Sequence, residues 1–176
     1  MKNLSKLLLL TLMIGGLFAS CNTDDEQNVP DATFNVGITG DVNQTHGFTI
    51  SENTTESQNT NGSEVITCIY TPALNEFSMI AQDQSAAWYL ALTYSGTLEA
   101  GTYSLSQSGY LNPSQSNESF DGISGTITIG QVEPLQGGSS YSIDGSFSAA
   151  METSNTPTET IQVNGTFTNV TVKSVL

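Results

Sequence analysis

From residue 32 onward the chain alternates apolar and polar residues with a period of two, in short runs closed off by Gly, Asn, Asp and Ser. In the clearest run Trp88, Leu90, Leu92 and Tyr94 point one way and Tyr89, Ala91 and Thr93 the other. Successive side chains leave opposite faces of a strand, so the pattern predicts half-buried β-strands and not helices. Strands are expected near Thr33–Ile38, Gly47–Ser51, Glu64–Tyr70, Glu76–Ala81, Ala86–Tyr94, Gly101–Leu105, Gly122–Ile129, Ser140–Ala149 and Thr160–Val172. Short strands separated by turn residues imply an all-β domain, an antiparallel β-sandwich or flattened β-barrel of about nine strands. Its core is expected to hold Phe34, Ile69, Phe77, Trp88, Leu90, Leu92, Ile127, Phe147 and Phe167. A closed lipocalin-like barrel around an apolar ligand is the structural alternative.

The last third contains a repeat: Ser124-Gly125-Thr126-Ile127-Thr128, Asp144-Gly145-Ser146-Phe147-Ser148 and Asn164-Gly165-Thr166-Phe167-Thr168. In each copy the Gly falls on the apolar face, in line with Ile123, Ile127 and Ile129, then Tyr141, Ile143 and Phe147, then Ile161, Val163 and Phe167. A strand Gly marks a bend, a bulge or a close approach by another group. Three neighbouring antiparallel strands curving over a core are expected. After Phe167 the apolar set changes parity, to Val170 and Val172, which predicts a bulge near Asn169.

The start of the chain obeys a different pattern. Lys2 and Lys6 precede an uncharged apolar run from Leu7 to Phe18, then Ala19, Ser20 and Cys21. That run is shorter than the roughly 20 residues a spanning helix needs, and it has the layout of a secretory signal peptide. Leu17-Phe18-Ala19-Ser20-Cys21 resembles the lipobox of bacterial lipoproteins, although Phe18 stands where Leu is usual. The resemblance implies cleavage before Cys21, a diacylglyceryl group on its thiol and an acyl chain of the palmitate class on its amine. Each buried methylene contributes about 0.8 kcal/mol, so two or three chains hold firmly where one does not. The acidic stretch Asn22 to Glu26 resembles the export signal of Bacteroidetes-type lipoproteins. It implies outer-membrane anchoring at the cell surface, with a periplasm-facing placement as the alternative. The organisation is then 1–20 signal peptide, 21–31 lipidated Cys and flexible tether, and 32–176 a single domain. A tether of this length reaches at most about 35 Å.

Leu98 to Leu105 and the Gly165-Thr166-Phe167-Thr168-Asn169 strand resemble small uncharacterised Bacteroidetes lipoproteins. That resemblance implies a β-rich extracytoplasmic domain and brings no activity with it.

Charge narrows the partners. All 17 acidic residues follow the cleavage site, the chain has no Arg, and Lys173 is the one basic side chain beyond it. Nucleic-acid affinity rests on Lys and Arg, so nucleic acid is excluded as a partner. Membrane contact is expected through the lipid alone, because anionic lipid repels an acidic domain. A monomer is expected. With Cys21 consumed by lipid, Cys68 has no disulfide partner and reads as a buried inert thiol.

Candidate chemistry is sparse. His46 is the sole histidine, has no nucleophile motif beside it and reads as a surface turn residue. Asp41, Asn43, Thr45, Thr49 and Glu52 match part of a calcium-loop spacing, but His46 occupies the place where that loop needs Gly. No catalytic residue, metal site or cofactor is therefore assigned. Ser51 to Ser63 is almost wholly polar and reads as a solvent loop. Tyr89, Tyr103 and Tyr110 are the candidate ligand contacts, as outward rings able to stack on sugars. The reading is a non-catalytic binding module for a glycan or protein. A glycosidase-like hydrolase with an acidic pair and a carrier of an apolar ligand are the alternatives.

Overall fold

The computed structural model describes residues 30–50, 58–112, 119–135, 137–154 and 157–175. Among these the fold is all-β. Ten strands run in chain order: β1 (Ala32–Gly40), β2 (Gln44–Ile50), β3 (Gln58–Asn61), β4 (Glu64–Thr71), β5 (Glu76–Asp83), β6 (Trp88–Ser95), β7 (Gly101–Leu111), β8 (Ser119–Pro134), β9 (Ser140–Glu152) and β10 (Thr160–Ser174). Cys21 and Glu52 lie outside the described residues. No helix of the described residues is long and apolar enough to cross a membrane.

The strands form one sheet in the order β2-β1-β10-β9-β8-β7-β6-β5-β4-β3. Neighbours are antiparallel, and the sheet closes into a barrel where the end of β10 pairs parallel with β4, Val172 opposite Cys68 and Ser174 opposite Tyr70. The barrel proper is β4 to β10. The β1–β2 hairpin extends it from the first half of β10, Phe34 lying opposite both Phe167 and Phe48. The segment read as a solvent loop carries a strand instead: β3 pairs with β4 from Gln58–Thr67 to Asn61–Glu64. The stretch has no apolar alternation, and its signal is the two-residue Gly62-Ser63 turn that folds it back onto β4.

The bulge expected near Asn169 is present. The β9–β10 register shifts between Phe167 and Val170, and Asn169 has a φ of 53°. Asn tolerates this left-handed backbone better than most residues. Its N–H donates to Asp144 Oδ1 at 2.7 Å, which holds the bulge to β9. Before the bulge β10 pairs with β1; beyond it the strand turns to β4. The bulge therefore places the strand that closes the barrel.

The repeated glycines are places of close approach. Gly145 lies opposite Phe167 and Gly165 opposite Phe147. Each glycine sits beneath its partner's ring, where a Cβ would collide. Gly125 similarly lies beneath Leu105, with Cδ1 at 2.8 Å from a built Cβ. Two rings thus fold over the neighbouring strand's backbone, and the barrel wall curves tightly there.

The interior is filled with large side chains. Phe34 stacks on Phe48, Trp88 and Phe147 at centroid distances of 5.5, 6.4 and 5.7 Å. At the other end Phe77 stacks on Tyr94 at 5.0 Å, and Tyr94 on Tyr103 at 4.3 Å. Burial of each such side chain contributes about 1.5–3 kcal/mol. Eight of the nine expected core residues are buried. The exception is Ile69, which faces outward and is half-buried, while its neighbours Ile66 and Cys68 face in. Ile123 also leaves the apolar row: a register shift between Gly122 and Ser124 leaves it 57% exposed.

Candidate functional site

Inward positions on β2 are Gln44, His46, Phe48 and Ile50. The first two are polar because this end of the hairpin reaches the rim of the barrel, where the core gives way to solvent. Tyr110 and Asn112, at the end of β7, meet them there. Gln44 Oε1 accepts hydrogen bonds from Tyr110 Oη at 2.8 Å and Asn112 Nδ2 at 2.6 Å. His46 Nε2 lies 3.0 Å from the same oxygen, which assigns its proton to Nε2. Asn112 Nδ2 also donates to Tyr110 Oη at 3.2 Å. The imidazole lies on the Trp88 indole, centroids 4.5 Å apart and planes 20° from parallel. This network ties β2 to β7 and seals Trp88, which is 3% exposed.

His46 is therefore a half-buried strand residue and not a surface turn residue. Partial burial lowers its pKa below the ordinary 6.5, and Asp83 pulls weakly the other way. Its hydrogen-bond partners are the Gln44 amide and the Tyr110 phenol, not a Ser or Thr hydroxyl. Burial, opposed by the Asn112 hydrogen bond, raises the Tyr110 phenol.

A carboxylate pair occupies the same rim. Glu64 and Asp83 lie directly opposite on β4 and β5. Asp83 Oδ1 accepts from Ser85 Oγ at 2.7 Å, Ser85 N at 2.9 Å and Ala86 N at 3.3 Å, capping the β5–β6 turn. Hydrogen bonds from Ser85 and Ser63 hold its pKa below the usual range. Desolvation, then the adjacent Asp83 charge, raises Glu64. The two carboxyls are pushed apart in proton affinity. Sequence reading missed this pair because only the strand register brings residues 64 and 83 together.

The three tyrosines do not form one site. Tyr89 is outward and half-buried, opposite Gln82 and Leu111. Tyr103 turns inward, stacks on Tyr94 and donates to the Glu99 carbonyl at 3.0 Å. Tyr110 is 2% exposed, inside the rim network. The expectation of three outward rings therefore fails for Tyr103 and Tyr110. Both lie inside because β7 shifts register against β6 at Thr93–Tyr94, which lets residues at odd and even positions face in at its two ends.

The calcium-like spacing disperses in space. Asp41 Oδ2 accepts from Thr160 N at 2.6 Å, Asn43 Nδ2 donates to the Gly40 carbonyl at 2.9 Å, and Thr45 and Thr49 lie along extended β2. Among the described residues no group of three or more His, Cys, Asp and Glu is placed to hold a metal ion. Cys68 is wholly buried and burial pushes its thiol up, so it is not a thiolate at neutral pH.

No family model matches the chain, and no curated protein matches it. The crystal structure of the ywiB protein from Bacillus subtilis is similar over 79% of this chain and 89% of its own, at 8% identity and a TM-score of 0.22. A likeness at that level carries no argument about fold or function.

Proposed function

We propose that the chain is a lipoprotein, anchored in the outer membrane through lipid on Cys21, that presents its barrel as a non-catalytic binding module. The large side chains of the barrel interior support the reading. Among the described residues Phe34, Phe77, Leu90, Leu92, Phe120 and Phe167 join one buried core cluster, which favours recognition at the outer surfaces and rims. The groove between Asn35, Thr45, Phe147 and Asn164 is open to solvent. A protein or glycan on the cell surface is the partner class, with the domain acting as a monomer on its tether.

Two measurements test this. Cys21→Ala abolishes lipid labelling and releases the chain from carbonate-washed membranes; firm retention of that variant refutes the anchor. A broad glycosidase screen of the mature chain shows no turnover. Glu64 and Asp83 give a specific ground for the hydrolytic alternative, since an acid and a base can arise from such a pair. Turnover lost on Glu64→Gln replaces the binding reading with that one.

A further inference from the structure

The outer wall of the barrel divides by chemistry. Over β8, β9, β10 and β1 many outward residues are Ser, Thr and Asn, as in Thr126, Ser148, Thr166 and Asn35, with Asp144, Ala150 and Gln162 among them. Over β4 to β7 apolar side chains stand among Thr, Ser and Gln. Register sets Ile80 beside Ala91 and Tyr89 beside Leu111, with Ile69 one strand further on. All five are half-buried and none belongs to the interior core.

This second face is also uncharged in a chain with 17 acidic residues. Its outward positions on β4, Thr67 to Thr71, and β5, Ser78 to Gln82, carry no charge. The same holds for Tyr89 to Thr93 on β6 and Gln107 to Leu111 on β7. Carboxylates stand at its borders instead: Glu64, Glu76, Asp83 and Asp121.

We propose that the outer face of β4 to β7 binds a neutral glycan, Tyr89 and its aliphatic neighbours taking the C–H faces of the sugar rings and Gln82 the hydroxyls. This rests on the reading of the domain as a binding module and names its surface and ligand class. Three observations select the ligand. The bordering carboxylates repel anionic ligands, uronate chains and acidic lipid headgroups included. Four strands at about 4.8 Å and five residues at about 3.3 Å give a footprint of about 300 Å². A stable protein partner or second copy needs about 800 Å² per side. A surface that sets Ile69, Ile80, Tyr89, Ala91 and Leu111 among amides and hydroxyls suits a small amphipathic ligand, and a sugar has apolar ring faces and polar edges.

The test is calorimetric titration of the full chain in detergent with short neutral β-glucans and β-mannans. Uronate-containing oligosaccharides are run beside them. Tyr89→Ala and Ile80→Glu, each checked to keep the parent's thermal midpoint, are expected to weaken neutral-glycan binding at least about tenfold. Thr166→Glu, on the opposite wall, leaves it unchanged. Equal binding by the parent, Tyr89→Ala and Ile80→Glu overturns the assignment of this face while the binding-module reading stands. Preference for uronates, or absence of binding to both neutral series, overturns the ligand class. Hydrolysis of the titrated glycan overturns the module reading as well.

Discussion

Gly145→Ala tests whether the glycine repeat exists to admit the rings that cross it. A methyl added at Gly145 meets the Thr128 carbonyl oxygen on one side and Phe167 Cζ at 2.5 Å on the other. Carbon atoms in good contact sit about 3.5–4.0 Å apart, so the ring must retreat by about 1 Å. The carbonyl belongs to the β8 backbone and cannot retreat without opening the ladder. Overpacking of a tight site costs about 1–3 kcal/mol. With a backbone atom among the obstacles, the upper end is expected, about 3 kcal/mol, a large part of the 5–15 kcal/mol that holds an ordinary domain together. Gly37→Ala is the control, because its nearest new contact is the Asn164 carbonyl oxygen at 3.9 Å. It should change stability by no more than about 0.5 kcal/mol. Adding Phe167→Leu to Gly145→Ala removes the ring but not the carbonyl, so the double variant recovers only part of the clash and adds the loss of ring burial. Urea unfolding followed by fluorescence of Trp88, the chain's single tryptophan, measures all of these. If Gly145→Ala were no more destabilising than Gly37→Ala, the close-approach account of the repeat would be wrong.

Two further outcomes concern the rim network. Gln44→Leu removes the acceptor shared by Tyr110, Asn112 and His46, leaving buried donors short of a partner; a loss of about 1–3 kcal/mol is expected in the same urea experiment, and a neutral result shows that water satisfies them. Because the folded pKa of His46 lies below the unfolded 6.5, the unfolded state takes up its proton first as pH falls. Stability is therefore whole above pH 6.5 and declines as pH drops through that value toward the folded pKa. His46→Gln flattens this slope in unfolding midpoints taken from neutral to mildly acidic pH, and an unchanged slope assigns it to other groups.

Strand parity was legible where one face of a strand is apolar and the other is not. That holds for β6, for β8 from Gly125 to Ile129, and for β10, whose change of parity located the bulge at Asn169. It failed in β4, where Val65, Ile66, Cys68 and Ile69 put apolar side chains on both faces. Either parity then satisfies the pattern, and only the register against β5 and β10 turns Ile69 outward. The strand β3 was announced only by its two-residue Gly62-Ser63 turn into β4. The parallel β4–β10 closure left no mark in the sequence, because it is made by backbone hydrogen bonds between segments distant along the chain. The rim site was hidden for the same reason. Gln44, His46, Tyr110 and Asn112 are separated by up to 68 residues, and no spacing rule unites them.

The placement of charge joins the fold to the proposed function. The carboxylates of Glu64, Asp83, Asp121, Glu152 and Glu159 gather at one end of the barrel, and Glu76, Glu99 and Glu133 at the other, in turns and at strand ends. Their mutual repulsion is relieved there by water and by local donors such as Ser85 and Ala86 on Asp83. The same arrangement leaves the outer face of β4 to β7 free of charge between its ends, while Asp144 stands within β9 on the other wall and the molecule as a whole is strongly anionic. Such a surface discriminates mainly by exclusion. An anionic polymer or an acidic membrane is held off by either rim before it reaches the Tyr89 face, and a neutral ligand approaches unopposed. Specificity built in this way needs no arginine or histidine on the face. Raising the salt concentration then distinguishes the two contributions: weak binding of uronate chains should strengthen as the rim charges are screened, while neutral-glycan binding stays constant.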